Sequence, residues 1–168
     1  MDLFDAIDTR ASAGRLTGPG PSPEQMDRLL RAAGRAPDHG RLRPWRFIVL
    51  DGADRERFAR AAAAAKRVRI PTLTEEQMAS EREKIMRSPT LVLAACVVDR
   101  ANPKVPEIEQ VVAVGAAVEN LVLAAHGLGY GVMWKTGAAA YDPAVKAVVG
   151  LQPHDHIVAI LHLGTRSK

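Results

Sequence analysis

The sequence contains a single cysteine, which excludes an internal disulfide. That residue, Cys96, lies in the apolar run LVLAACVV, where a thiol usually packs as a small buried hydrophobic group. Aromatic residues make up only 4% of the chain, so the alternation of basic and aromatic side chains that binds single-stranded nucleic acid is missing. The net charge of +4 favours anionic partners, either nucleic acid or a phosphorylated cofactor, and composition does not choose between them.

The chain also lacks the features of a secretory leader and of a membrane span. Its first residues, MDLFDAIDTR, are acidic where a leader is basic, and no apolar stretch of the required length follows. A membrane span needs roughly 18 uninterrupted apolar residues, but Glu119 and Asn120 interrupt the longest apolar stretch. We therefore expect a cytoplasmic protein. At 168 residues without internal repeats, the sequence predicts a single domain covering residues 1–168.

The stretch from Glu107 to Gly131 is strongly apolar, and the rest of the chain is organised around it. Its apolar residues continue far enough for a helix and show no strand-like alternation. Because almost no polar face remains, we predict a helix that is buried nearly all round. A small domain has few places to bury such a helix, and a symmetric contact between two copies would cover its second face. The sequence therefore predicts a homodimer built on Val111 to Ala125.

Helix and strand patterns alternate along the rest of the chain. The spacing of Ser22 with Gln25, and of Thr74 with Gln77, is typical of capping boxes that begin helices. In all we expect about four strands and about six helices, in an α+β or three-layer α/β arrangement. The helices are predicted over 3–9, 23–35, 53–69, 74–87, 107–127 and 142–150, and the strands over 45–50, 90–98, 130–136 and 157–163. Residues 53–87 form a helical pair outside this pattern, either a lid or a packed surface hairpin.

Several kinds of catalytic site are not supported by the sequence. The glycines at 127, 129 and 131 follow a helix and precede a strand, which is the reverse of the dinucleotide-binding fingerprint. The segment His154 to His156, with His162 beside it, lacks a Cys or Glu at a spacing that would complete a metal site, so no metal is expected. No Ser-His-Asp order or glycine-flanked nucleophile stands out. The chemistry must therefore come from a cofactor.

A basic loop near the start of the chain is suited to a phosphate group. It brings together Arg10, Ser12 and Arg15 with small residues that let backbone amides approach a ligand closely. Guanidinium groups and a hydroxyl form charge-assisted hydrogen bonds to phosphate oxygens. The alternative is a solvated turn, because short basic loops are common. A second charged loop, from Arg35 to Trp45, precedes a strand, a position where loops often have a functional role.

Taken together, these segments resemble the nitroreductase family, and the similarity extends in order over nearly the whole chain. It lies in Arg10-x-Ser12, in Arg35-Ala-Pro-Asp-His39 followed by Pro44-Trp45, and in Trp134-Lys135-Thr136-Gly137. The resemblance implies an α+β fold, a nitroreductase-like three-layer α/β/α arrangement with a mixed, mostly antiparallel central sheet of four to five strands. It also implies a homodimer that holds FMN at the subunit interface and uses NAD(P)H as co-substrate.

The resemblance further implies which residues contact the cofactor. Arg10 and Ser12 match contacts to the FMN phosphate and ribityl chain, and Ala11 between them stands where the family often has a second arginine. Arg35 and His39 match residues that reach the same flavin, and Trp134, Lys135 and Thr136 match the segment along its ring. Arg166 or Lys168 would supply a C-terminal basic contact to phosphate. Lys135 is also the expected catalytic residue, because its charge would stabilise the reduced, anionic flavin.

The function expected from this resemblance is an FMN-dependent oxidoreductase. It would transfer electrons from NAD(P)H to a flat acceptor, such as a nitroaromatic or a quinone, by a ping-pong mechanism. The alternative is a flavin-binding protein without reductase turnover, for storage or sensing. A third possibility, a basic nucleic-acid-binding domain, is supported only by the isoelectric point of about 9.6. The expected partners are a second copy of the chain and a small-molecule acceptor, with neither nucleic acid nor membrane.

Overall fold

A computed structural model describes residues 1–167, so Lys168 and the phosphate contact suggested for it lie outside the described residues. Helices and strands alternate along the chain, with short 3-10 helices at His39–Arg41 and Ala138–Tyr141. The elements in order are α1 (Leu3–Thr9), β1 (Leu16–Thr17), α2 (Pro23–Ala33), β2 (Trp45–Leu50), α3 (Gly52–Arg69), α4 (Glu75–Met86), β3 (Thr90–Cys96), α5 (Glu107–Gly127), β4 (Tyr130–Lys135), α6 (Pro143–Val148) and β5 (His156–Arg166).

The strands form one sheet in which β5 has three partners, and each pairing is antiparallel. On one edge of β5, β3 pairs from Cys96 opposite His156 to Thr90 opposite Leu163, and β2 pairs with the far side of β3. On the other edge, β4 pairs from Lys135 opposite Ile160 to Tyr130 opposite Thr165. The short β1 pairs with Thr165 and Arg166 at the end of β5.

Strand β3 shows how the sheet separates two helical layers. Because successive side chains in a strand point to opposite faces, its apolar run supplies both sides of the core. Val92, Ala94 and Cys96 pack in a cluster with α2 and α5, whereas Leu91 and Leu93 pack in a second cluster with α3 and α6. Burial raises the pKa of the Cys96 thiol to about 12, so this cysteine stays a neutral core residue. The predicted three-layer fold is confirmed, but the five-stranded sheet is antiparallel in every pairing within residues 1–167 and not mixed.

The structure changes the predicted elements at two places in the sheet. Strand β1 was not predicted, because its two residues are too few to show an alternating pattern. Strand β5 continues to Arg166, three residues past its predicted end, because pairing with β1 and β4 holds the backbone extended there. Both predicted capping boxes are present, with Ser22 accepting from the Gln25 amide and Thr74 from the Gln77 amide.

Helix α5 is the core helix, but the prediction that it is buried nearly all round is wrong for a single chain. Eight of its residues are buried, and six of them pack in the cluster that contains α2 and one face of the sheet. Ile108 and Val112 are 66% and 62% exposed, because the helices of one chain cover only one side of α5. By length and composition alone α5 could also cross a membrane, a test that the core helix of a globular protein passes as well.

Candidate functional site

A cavity of about 570 Å³ lies between the β4–β5 part of the sheet and the helices α3 and α4. Its volume falls within the range of about 300 to 1,000 Å³ that is usual for small-molecule sites. Ile70, Ile85 and Ile160 supply apolar walls, and Thr136 and Gly137 line the side where β4 ends. A flat, largely apolar ring system is the kind of molecule that such walls accept.

Four cationic side chains line this cavity, but most of them already have acidic partners. Glu81 forms ion pairs with two of them: its Oε1 lies 2.7 Å from Nζ of Lys66 and 2.5 Å from Nζ of Lys84. Hydrogen bonds from Lys66 first, and then from Lys84, lower the pKa of the Glu81 carboxyl. Arg69 pairs with Asp142, with 3.6 Å between Nη1 and Oδ2.

The fourth cation, Lys135, differs from the other three. Within residues 1–167 its ammonium makes no ion pair and no hydrogen bond. Its side chain lies on the face of β4 that is turned toward α4, whereas the neighbouring Trp134 lies on the opposite face. The cavity is therefore a site with apolar walls and one positive charge free to meet a ligand.

His162 forms part of the floor of the cavity. It is 5% exposed, and its Nδ1 lies 2.9 Å from the hydroxyl of the buried Ser88. Burial lowers the pKa of His162 to about 4, and the positive charges of Lys135, Arg87 and Arg55 act in the same direction. The imidazole is therefore neutral at physiological pH.

A narrow cleft of about 20 Å³, room for about one water molecule, adjoins this cavity on the side of the loop that precedes β1. Lys84, Lys135 and His162 line both spaces, and Ala13 and Gly14 close the far end of the cleft. The loop is fixed along the free edge of β4, because the Ala13 amide donates to the Val132 carbonyl at 2.9 Å. The cavity and the backbone of the first basic loop are thus neighbours, because the two spaces share three lining residues.

The structure places Arg166 beside that same loop. Its Nη2 donates to the Ala11 carbonyl at 3.0 Å and lies 3.3 Å from Nδ1 of His126. The pKa of His126 is lowered by burial and then by the charges of Arg166 and Arg10, which places both guanidinium groups around this histidine. Arg10 and Ser12 also line a pocket of about 240 Å³ with Trp134, on the α5 side of β4. Four predicted residues, Arg10, Ala11, Ser12 and Arg166, are thus brought together.

Arg35 and His39 lie elsewhere in the single chain. His39 Nδ1 is 2.5 Å from Glu109 Oε2 at the start of α5, in a pocket of about 300 Å³ lined by Ile108 and Val112. Arg10 and Ser12 instead meet α5 at Glu119, which is about 15 Å further along the helix at 1.5 Å per residue. One chain therefore does not place His39 in the pocket that contains Arg10 and Ser12.

The sequence did not indicate several residues that line the cavity. Lys66 and Lys84 lie on helices with many charged residues, where a lysine is usually solvated. His162 is one of several histidines near the end of the chain. The pattern that could have indicated them is the helical pair over 53–87, because α3 and α4 form the wall of the cavity.

Comparison with known proteins gives the class to which this fold and site belong. Residues 7–165 match the model of the nitroreductase family, so the chain belongs to that family, which is a family of oxidoreductases. A curated relative from Escherichia coli K12, YdjA, is provisionally named an NAD(P)H nitroreductase. It is 37% identical over 168 residues, covering 98% of this chain and 88% of its own.

Two solved structures have the same fold. A nitroreductase-like family protein from Bacillus cereus aligns with a TM-score of 0.84 at 25% identity, covering all of this chain and 87% of its own. A nitroreductase with bound FMN from Bacteroides fragilis aligns with a TM-score of 0.75 at 20% identity, covering 99% of this chain and 89% of its own.

Proposed function

We propose that this protein is an FMN-dependent oxidoreductase, with the flavin ring in the 570 Å³ cavity. When bound, FMN supplies the redox chemistry, taking electrons from NAD(P)H and passing them to a flat acceptor such as a nitroaromatic or a quinone. The observation that carries this proposal is that an apolar cavity containing the unpaired Lys135 adjoins a loop flanked by two arginines. The FMN bound to the Bacteroides fragilis protein of the same fold supports it.

The residues of the chain fit the separate parts of FMN. The isoleucines at 70, 85 and 160 provide the apolar contact that a fused ring needs, and Thr136 adds a hydroxyl at its edge. A phosphate would bind at the first basic loop, which contains Arg10 and Ser12 and lies beside Arg166. The two guanidinium groups and the serine hydroxyl are donors that suit phosphate oxygens. Ala11 contributes backbone only, since its carbonyl accepts from Arg166.

Lys135 is the residue proposed to act on the rate of the reaction. Its ammonium lies in the cavity without a competing carboxylate, so it can stabilise negative charge that develops on a bound ring. Trp134 packs on the other face of β4, where its Nε1 donates to the Val158 carbonyl at 3.1 Å. We therefore assign Trp134 a role in positioning the strand.

The functional unit proposed is a cytoplasmic homodimer formed through α5. The exposed side chains of Ile108 and Val112 form an apolar stripe on this helix, and His39 lies beside it. A two-fold contact centred on the middle of the predicted interface, Val111 to Ala125, makes the two helices antiparallel and sets the start of one α5 near the end of the other. The Arg35–His39 loop of one subunit would then approach the flavin region of its partner.

The dimer can be tested with one charge substitution. Val112→Glu should convert the dimer to a monomer, because it places a charge in an apolar contact. Val68→Glu is the matched control, since Val68 is 80% exposed on α3, away from the stripe. Sedimentation measures the oligomeric state of the native protein and of both variants. We expect a dimer for the native protein and for Val68→Glu, and a monomer for Val112→Glu. A native protein that sediments as a monomer at micromolar concentration contradicts the proposal.

The flavin proposal is tested by purification and steady-state kinetics. We expect a yellow protein whose colour bleaches with NAD(P)H. Because one ring would serve reductant and acceptor in turn, double-reciprocal plots at several fixed acceptor concentrations should be parallel, the ping-pong pattern. A yellow protein that does not bleach would support the storage or sensing alternative. A colourless protein with salt-dependent DNA binding would contradict the proposal.

A further inference from the structure

The hydrogen bonds around Ser88 determine which nitrogen of His162 bears the proton. The Ser88 hydroxyl donates its single hydrogen to the Thr90 carbonyl at 3.0 Å. It must therefore accept from His162, whose Nδ1 lies 2.9 Å away and is the protonated nitrogen. In a neutral imidazole the other nitrogen is an acceptor, so Nε2 has a free lone pair. Within residues 1–167, Nε2 makes no hydrogen bond.

The surroundings of His162 keep that lone pair available. Burial lowers the pKa of the imidazole to about 4, and the positive charges that face it are those of Lys135, Arg87 and Arg55. At neutral pH, therefore, His162 accepts a hydrogen bond but does not act as a cation. Water in the cavity reaches Nε2, so a ligand that displaces this water keeps the hydrogen bond only if it supplies a donor.

The position of His162 indicates which part of a ligand it meets. His162 and Lys135 both line the large cavity, and both also line the narrow cleft that leads to Ala13 and Gly14. Consider a ligand with its ring in the cavity and its phosphate at the basic loop. His162 and Lys135 lie where the ring of that ligand would join the linker to the phosphate.

The chemistry of the pair selects a hydroxyl group. Lys135 can only donate hydrogen bonds, and Nε2 of His162 can only accept one. A hydroxyl satisfies both at once, whereas a carboxylate or phosphate has only acceptor oxygens, which the Nε2 lone pair would repel. A sugar-alcohol chain is the chemical class that presents such hydroxyls between a ring and a phosphate.

We propose that His162 accepts a hydrogen bond at Nε2 from a hydroxyl of the ribityl chain of the flavin, and that Lys135 donates to the same chain. This inference rests on the proposed binding of FMN in the cavity. It assigns His162 as a flavin-binding residue on β5, in addition to the loop and β4 residues that the sequence indicated.

Two substitutions separate this role from a structural one. His162→Asn keeps an amide donor where Nδ1 meets Ser88 and removes the acceptor in the cavity. His162→Gln extends an amide oxygen toward the position of Nε2 and gives up the bond to Ser88. FMN and lumiflavin, which has the ring but no ribityl chain, are titrated into flavin-free protein by fluorescence, and thermal melting confirms that each variant is folded.

We expect His162→Asn to weaken FMN binding by about two- to twelve-fold, the range for one hydrogen bond, and to leave lumiflavin binding unchanged. His162→Gln should bind FMN within about twofold of the native protein. Equal FMN binding by His162→Asn and the native protein would overturn the inference. So would an equal loss in both variants, which indicates a structural role, or an equal loss of lumiflavin, which indicates a contact to the ring. Failure of the native protein to bind FMN would instead overturn the proposed function.

Discussion

Replacing Gly131 by alanine tests how the first basic loop is fixed on the sheet. A Cβ at this position would lie 2.7 Å from Leu16 Cδ2, 2.8 Å from Ala13 Cβ and 2.8 Å from Arg166 Cγ. The Ala13 methyl cannot rotate away, so the loop itself must move. Inserting a methyl group into a well-packed site costs about 1 to 3 kcal/mol, and we expect Gly131→Ala to lower the free energy of unfolding by that amount.

The same displacement should weaken flavin binding, because the loop that moves contains Arg10 and Ser12 and lies against Arg166. The change in the free energy of unfolding is measured by urea unfolding, without flavin and at one fixed protein concentration. The melting temperature should fall by roughly 2 to 12 °C, since about 1 kcal/mol corresponds to 2 to 4 °C in a domain of this size. A fluorescence titration with FMN then measures the loss of affinity.

Gly127→Ala is the matched control for Gly131→Ala. Gly127 is the last residue of α5, and a Cβ there would meet nothing within 4 Å. The control should be unchanged in flavin binding and equal or slightly higher in stability, because alanine favours helix over glycine by at most about 1 kcal/mol. A Gly131→Ala protein with native stability and native FMN affinity would show that the loop is not fixed by this contact.

Three further results are expected. Arg10→Ala should lower FMN affinity by about 1.5 to 3 kcal/mol, the range for a hydrogen bond to a charged group, and an unchanged titration would remove Arg10 from the site. Lys135→Met should lower kcat, on the order of 10²-fold, more than it raises KM, because the lost charge acts on the barrier; loss of FMN with normal turnover of the loaded fraction would make Lys135 only a cofactor anchor. Stability should fall as the pH drops from 6.5 toward 4, by up to roughly 3 kcal/mol, because the unfolded chain binds a proton at His162 that the folded one excludes. His162→Gln should remove that part of the pH dependence in urea unfolding, and an identical profile would contradict it.

The sequence predicted the layers of this fold because its strongest patterns are local. The apolar run of β3 and the capping residues Ser22 and Thr74 are each contained within a few neighbouring positions, and the structure confirms them. Strand β1 was missed because only its pairing with Arg166, far away in the chain, makes it a strand. The exposure of Val112 was missed because periodicity shows which residues are apolar, not how many helices are present to cover them.

For the candidate site, the sequence was informative about loops and less so about the cavity. Arg10 and Ser12 stand out because small residues surround them. His162 and Lys84 line the same cavity only because α4 packs on α3 above this face of the sheet, and nothing in the residues next to either of them indicates that packing. The face of the sheet on which the Lys135 side chain lies likewise depends on the pleat of β4. The resemblance to a family motif does not reveal that face.

The central place of β5 in the sheet has a consequence during synthesis on the ribosome. Strands β1, β3 and β4 all emerge before β5, yet each of them pairs with it, and β1 pairs with its last residues, Thr165 and Arg166. Among the strand pairings within residues 1–167, only that of β2 with β3 involves no residue of β5, so it can form early. The loop containing Arg10 therefore stays without its strand partners while more than a hundred further residues are translated. We therefore expect the proposed flavin site to form in one of the last folding steps, when β5 enters the sheet.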